Sequence, residues 1–465
     1  MTDATTAELP EATLVADVLA QARAPLRQAT RERLAHAFLD WFTAGWSALG
    51  LTAAQRLRGL SDELFPSPGA AAVFGGRTAM PMAAAFANAG ITHLREIDDA
   101  HRTAMLHPGV VAISPVLALA GQLGLTQLQV ARAVIAGYEV AIRLGEAMGP
   151  RHAGMFHATA TAGSVGAAAA SASALDLGPQ EMHHALGIAA TQAAGLWQLV
   201  DDDAHDAKSL HPAFAARNGL TAAYAARAGL PGARAFVTGR RGLYAALGGD
   251  GPLATLNSDP LCQERLHTAT IKAWPACAML FTPLDATLSL IEQHHIAAAD
   301  VVAVDIEIFP HALKIAGVHW PAKAAEASFC LRFLVATLLR RGRIGIEDTE
   351  TPDTASPELQ ALAGRVSVQA NEAFQREFPG KRPSRVTMTL LDGRRVTAYR
   401  DRRRGDPEDP FTWDALQTRL RSFAPAVTDA QAAMLVRWCE RFVDPRLDAE
   451  PCGAVPELFG ARRGD

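Results

Sequence analysis

The feature that most limits the fold is the density of alanine and glycine at helical spacing in the first half of the chain. From Leu14 to about Gly251, alanine-rich runs alternate with glycine, as in Thr126 to Gly137, Pro179 to Gly187 and Ala213 to Gly229. That pattern predicts helices closed by glycine. The run Gly163 to Ala174 is small or apolar on almost every face. Such a helix has no solvent face, so it belongs inside a bundle, where alanine and glycine let neighbouring backbones approach closely. An all-helical domain is expected over residues 1–266.

The texture changes after about His267. Val301 to Phe309 alternates Asp305 and Glu307 with Ile306 and Ile308, the period of a half-buried strand. Val386 to Leu391, Asp392-Gly393 and Arg394 to Tyr399 read as a hairpin, because Asp-Gly supplies the positive φ angles of a tight turn. Ala324 to Arg341 and Pro357 to Leu362 read as helices, and Val366 to Ala370 as a further strand. A smaller α+β domain is therefore expected over 267–404. After Gly405-Asp406-Pro407, the helical stretches Thr412 to Phe423 and Thr428 to Phe442 are expected to return residues 405–465 to the helical domain. The basic run Arg400 to Arg404 reads as a solvated loop. The expected fold class is mainly α.

With 465 residues, 49% of them apolar, the chain can build sizeable cores. Its net charge of -4 is made of dispersed charges, which argues against nucleic acid or an anionic membrane as partner and for a small molecule. Cys262, Cys277, Cys330, Cys439 and Cys452 are odd in number and never in CxxC spacing, so neither a disulfide framework nor a cysteine zinc site is expected. Met1 to Pro10 carries Asp3 and Glu8 in place of a basic run, so no secretory signal is read and a cytoplasmic location is expected. Val110 to Leu125 is apolar but broken by Pro115 and Gln122, which fits a buried helix better than a membrane span.

Nine of the fifteen histidines fall between His93 and His211, and the same stretch holds Glu96, Asp98 and Asp99, which places a candidate site there. His157 precedes a helix that could be capped by Thr159 or Thr161. A helix start offers free N–H groups and the positive end of the dipole, which bind carboxylate and favour a neutral imidazole. By position alone a buried, hydrogen-bonded histidine is the commoner outcome. Lys208 and His211 are three apart ahead of Pro212, so they share a face if the turn is helical. They could hold a carboxylate, or be a surface lysine and a capping histidine. Asp98 and Asp99 stand near His101 and His107, an arrangement suited to proton transfer or, alternatively, to helix capping. Asp201, Asp202, Asp203, His205 and Asp206 lack the glycine and final glutamate of a calcium loop and read as solvated. No Walker loop, GxSxG or HExxH is present, which leaves nucleotide, serine-hydrolase and zinc-protease chemistry without support.

Several segments in fixed order resemble the MmgE/PrpD family, which includes 2-methylcitrate dehydratase, cis-aconitate decarboxylase and iminodisuccinate epimerase. They are Ala87-Asn88, Ile97-Asp98-Asp99 and His107-Pro108; Gly137-Tyr138-Glu139; Phe156-His157 with Thr159 and Gly163; Ala185 to Ala189; Lys208 to Pro212; Lys272 to Cys277; Glu326 to Phe329; and Gly405-Asp406-Pro407. The resemblance spans about Leu14 to Phe442. It implies a helical domain, an inserted α+β lid, a cleft between them, a homodimer, and proton movement beside a carboxylate of a small di- or tricarboxylic acid, without metal or organic cofactor. It also implies His107, His157 and Lys208 as catalytic residues. Glu96, Asp98, Asp99, Thr159 and His211 join them as candidate substrate-binding groups. Phe281 and Phe333 stand where the resemblance places a lid histidine and a tyrosine, so a less charged substrate or a simpler proton transfer is expected. The implied activity is a cofactor-independent lyase. An epimerase or isomerase that returns the proton, and a non-catalytic dimeric binding paralogue, are the alternatives.

Overall fold

The computed structural model describes residues 9–202, 204–257, 264–317, 320–378 and 380–460. Cys262 and Asp203 lie outside the described residues, as do residues 1–8. The chain divides into two compact units, Met1–Thr270 with Leu416–Asp465, and Ile271–Ala415. No helix among the described residues is long and apolar enough to cross a membrane.

The larger unit is mainly helical. Its first helices are α1 (Pro10–Arg23), α2 (Gln28–Ala48), α3 (Thr52–Leu64), α4 (Pro81–His93), α5 (Pro108–Leu123), α6 (Gln127–Ala153), α7 (Ala158–Ala174) and α8 (Pro179–Ala190). They are followed by a long helix over Leu210–Arg227. Helix α7 is central: it packs against α5, α6, α8 and Leu210–Arg227, and all but one of its residues are buried.

Of the three glycines expected to close helices, only Gly229 lies beyond a helix end, with φ +85°. Helix α6 runs straight through Gly137 and α8 through Gly187. A Cβ on Gly137 would lie 2.7 Å from the Ala112 Cβ of α5 and 2.9 Å from the Ala170 Cβ of α7, so this glycine is the point where three helices touch. Gly137→Ala should therefore destabilise the fold by about 1–3 kcal/mol through overpacking. At an open helical site the same change stabilises by up to about 1 kcal/mol. The sign of the shift in a denaturant titration separates the two cases.

One exception to the expected all-helical character is a short hairpin, β1 (Ala71–Val73) with β2 (Arg77–Ala79), turned by Gly75 and Gly76 at φ +105° and +84°. Asn88 of α4 holds it, accepting from the Phe74 N–H at 2.9 Å and donating to the Ala72 carbonyl at 2.9 Å. Three-residue strands are too short for an alternating pattern to show.

Residues 416–460 pack back on α2. Phe38 meets Trp438 and Phe442 at ring-centroid distances of 5.1 and 4.6 Å, and Phe42 and Trp41 meet Phe459 at 5.5 and 5.9 Å. Arg31 grips Asp448 with two 2.7 Å hydrogen bonds.

The smaller unit holds a four-stranded sheet of β3 (Val301–Ile308), β4 (Val366–Ala370), β5 (Ser384–Leu390) and β6 (Arg395–Arg400), in the order β4-β3-β5-β6. Only the β3–β4 pair is parallel. Helices Phe281–His294, Leu331–Arg341 and Pro357–Gly364 contribute to the same core. In the β5–β6 turn only Gly393 takes a positive φ, while the Asp392 carboxylate accepts from the Arg394 N–H, so the connection is longer than the expected two-residue turn. Residues 405–415 stay with this unit, because the Ile271 N–H bonds the Gly405 carbonyl and the Arg404 guanidinium stacks on Phe411. Arg403 is not solvated as expected: it is buried and paired with Asp406.

Candidate active site

The site lies in the larger unit, where helix termini bring four histidines together. His93 is the last residue of α4, His107 is the residue before Pro108 at the start of α5, and His157 precedes α7. Pro108 suits this start, since a first-turn N–H has no helical partner. Thr159 does not cap its own helix: its hydroxyl accepts the His107 backbone N–H at 3.0 Å, tying the start of α7 to that of α5. The His157 N–H bonds the Gly195 carbonyl at 2.9 Å.

Asp98 organises the cluster. Its Oδ2 lies 2.9 Å from His93 Nδ1 and 3.1 Å from His107 Nδ1, with the carboxylate 2% exposed. Burial alone would raise its pKa, but the two imidazoles and their hydrogen bonds prevail and hold it well below the ordinary carboxylate range. The ring centroid of His93 is 4.6 Å from that of His107 and 5.5 Å from that of His157. His157 Nδ1 faces His211 Nδ1 at 3.1 Å, so one ring donates and the other accepts. Burial pushes the His157 pKa well below its usual value, reinforced by Lys208 and the neighbouring histidines. Burial, with His93 and Lys208, lowers that of His211 to about 4. Both imidazoles are neutral at pH 7. Trp197 covers His157 at 4.6 Å between ring centroids, and its Nε1 donates to the Ala153 carbonyl.

Lys208 belongs to the short 3-10 turn His205–Ser209, and His211 to the first turn of the following helix. The Lys208 Nζ stands 5.6 Å above Trp197 and is ion-paired with Glu96. Glu96 takes the left-handed backbone conformation, φ +52°, and half exposes its side chain. A carboxylate ligand that reaches Lys208 must compete with Glu96.

Asp99 sits behind the cluster. Its two oxygens accept from the Gly109 N–H at 2.9 Å and from the Tyr138 hydroxyl at 2.7 Å. Burial, and then the neighbouring Asp40, raise its pKa to about 7, against the Tyr138 hydrogen bond. Folding therefore retains this proton. The corresponding stability is complete below the ordinary carboxylate pKa of 3.8 and is lost as pH rises through about 7. Asp99→Asn should flatten the fall in stability over that window. His157 and His211 titrate in both proteins, so the difference between the two stability-versus-pH curves reports Asp99 together with the neighbouring Asp40.

The structure brings together His107, His157, Lys208, Glu96, Asp98, Thr159 and His211. His93, which had not been singled out as a site residue, joins them. Its one signal in the sequence is a position five residues ahead of Asp98 at the end of an alanine-rich helix. One ring nitrogen each from His93, His107 and His157 lie within 4.8 Å of one another, the only group among the described residues with metal-ligand spacing. Phe281 and Phe333 are placed differently from expectation. They are 0% and 1% exposed in the apolar core of the smaller unit, where Phe333 packs edge-on against Trp320, so they offer no surface to a ligand. An apolar side chain among apolar neighbours gains by burial, which is where these two replacements lead. Asp201, Asp202 and Asp206 are exposed, as a solvated loop requires.

A helical scaffold that buries an ionised carboxylate among imidazoles and sets a lysine beside them brings together groups able to move a proton. The model of the MmgE/PrpD N-terminal domain matches residues 13–255 and that of the MmgE/PrpD C-terminal domain residues 274–440. The chain belongs to the MmgE/PrpD family. It is 26% identical to the cis-aconitate decarboxylase of Aspergillus terreus over 431 residues, 86% of each chain. It is 25% identical to the cis-aconitate decarboxylase-like protein oryM of Aspergillus oryzae over 464 residues, 93% of each. A 102-residue segment, 21% of each chain, is 32% identical to the 2-methylcitrate dehydratase of Cupriavidus necator.

Proposed function

We propose that the protein is a lyase acting on a small polycarboxylic acid. In a dehydration the α proton is removed and the resulting enediolate expels a protonated β-hydroxyl as water, whereas in a decarboxylation carbon dioxide leaves first and the carbanion so formed takes up a proton. The observation that carries this reading is the buried Asp98 carboxylate held against His107, with the neutral His157 and the cation of Lys208 in the same cluster. His107 is the base, because an ionised carboxylate at Nδ1 strengthens a proton acceptor at the other nitrogen. A neutral imidazole still carries one N–H that it can donate to an oxyanion, so His157 stabilises the developing enediolate. Lys208 exchanges Glu96 for the substrate carboxylate and places fixed positive charge where negative charge grows. The names of the relatives support a decarboxylase or dehydratase outcome.

The two imidazoles of His107 and His157, 6.2 Å apart between centroids, also favour a second reading, an epimerase in which one face loses the proton and the other regains it. Incubation in deuterated water with a panel including cis-aconitate, citrate, methylcitrate and aspartate-derived acids separates these outcomes by NMR. Elimination of water or carbon dioxide is expected. Inverted, deuterated substrate with no eliminated product would replace the lyase by the epimerase. No turnover of any acid would leave the binding paralogue. A homodimer in which these steps occur is part of the proposal, and sedimentation velocity tests it.

A further inference from the structure

We propose that His93, His107 and His157 form a binding site for a divalent transition-metal cation of the zinc type, and that metal bound there inhibits the enzyme reversibly. The binding is argued from this chain's geometry alone; the inhibition rests on the proton-transfer reading, since the metal takes the nitrogens that reading uses.

Three features point to a metal. The ligand nitrogens lie within 4.8 Å of one another although the His107 and His157 ring centroids are 6.2 Å apart, so the rings turn nitrogens toward a shared point. His93 Nε2 is buried and has no hydrogen-bond partner among the described residues, an expensive state for a polar atom that a metal bond would relieve. Each ring also has a partner at its Nδ1. Asp98 Oδ2 meets Nδ1 of both His93 and His107, and His211 Nδ1 meets Nδ1 of His157. A carboxylate behind a ligating histidine fixes its tautomer and raises its basicity. The His157–His211 pair can pass its shared proton either way, so it can leave the other His157 nitrogen unprotonated for a metal.

Imidazole-only ligation selects zinc, cobalt, nickel or copper over the oxygen-seeking magnesium and calcium. Three histidines leave a fourth tetrahedral position open, as catalytic zinc sites do. Zinc–nitrogen bonds of about 2.0–2.1 Å would draw the ligand nitrogens to about 3.4 Å apart, so the rings must move inward by roughly an ångström. The Asp98 charge compensates the cation, while Lys208 is already paired with Glu96.

The test uses the full chain, freed of metal by a chelator that is then dialysed away, and titrated with Co2+. One equivalent per chain with visible d–d bands of tetrahedral or five-coordinate cobalt is expected, with displacement by Zn2+. His93→Gln and, separately, His157→Gln should each weaken binding by at least about 10-fold, the scale on which supporting groups alone matter. Wild-type protein that gives no such bands, or folded variants that bind as tightly as wild type, would overturn the site. Should both variants unfold, the wild-type spectrum decides by itself: nitrogen-ligated bands at one equivalent support the site and their absence sinks it. Zinc should abolish turnover and chelator restore it; turnover that persists at full zinc occupancy would refute the inhibition. Cobalt binding without turnover of any acid would remove the lyase and keep the metal site, and turnover without cobalt binding would do the reverse.

Discussion

Asp98→Asn should lower kcat by about 10^2–10^4-fold while the protein stays folded, the range in which a positioned acid–base group contributes. Asparagine keeps the volume but loses the charge that His93 Nδ1 and His107 Nδ1 share. Its carbonyl oxygen, placed where Oδ2 stands, can still accept from both imidazoles but without charge, so the basicity that the carboxylate lends His107 is lost. In the other amide orientation, donation to His107 Nδ1 moves that ring's proton to the opposite nitrogen and removes the lone pair used for catalysis. KM should change far less than kcat, because in the proposed reaction the substrate carboxylate is held by Lys208. His107→Gln should cost a similar factor, and the double variant little more than the worse single one, since the two residues act as a unit. Kinetics on the substrate found in the panel decide this. Asp98→Asn retaining more than a tenth of wild-type kcat would remove Asp98 from the mechanism.

Arg419→Met should destabilise the larger unit by about 3–5 kcal/mol, as expected when one member of a buried ion pair is removed. Arg419 Nη1 lies 2.9 Å from Asp40 Oδ1, and the two side chains are 4% and 2% exposed. Its Nη2 donates to the Ile97 carbonyl at 2.7 Å, one residue ahead of Asp98. The substitution leaves a buried carboxyl without its cation. Burial already raises the Asp40 pKa to about 6, against the pull of Arg419, so the variant's Asp40 should bind a proton more readily still. Denaturant unfolding at pH 7 measures the loss. Asp40→Leu combined with Arg419→Met should recover much of it, because replacing both charges removes the unpaired group. A single-variant loss below about 1 kcal/mol would show that the pair behaves as a solvated surface bridge.

The helices follow from spacing that any stretch of sequence displays, and β3 to β6 follow from alternation and a single turn. His107, His157 and Lys208 each stand near a helix start, which made them candidates, but it was the family resemblance and not local spacing that singled them out. His93 was not, since a histidine inside an alanine-rich helix looks the same whether it packs or ligates. Gly137 and Gly187 looked like helix ends because propensity treats glycine as a breaker, and only the neighbouring Ala112, Ala170 and Ala233 show that it makes room. Phe281 and Phe333 were tied to a ligand by position in a pattern, yet packing put both into an apolar core.

The sequence by itself determined a mainly helical chain with a β-containing insertion and a histidine-rich stretch suited to proton transfer, because period, turn chemistry and local capping are properties of neighbouring residues. Only the tertiary structure decided that one Asp98 oxygen serves two histidines, that His157 and His211 are desolvated to neutrality, and that Arg419 reaches Asp40 across the chain. Desolvation and charge pairing depend on which distant groups are packed together, and no local spacing encodes that.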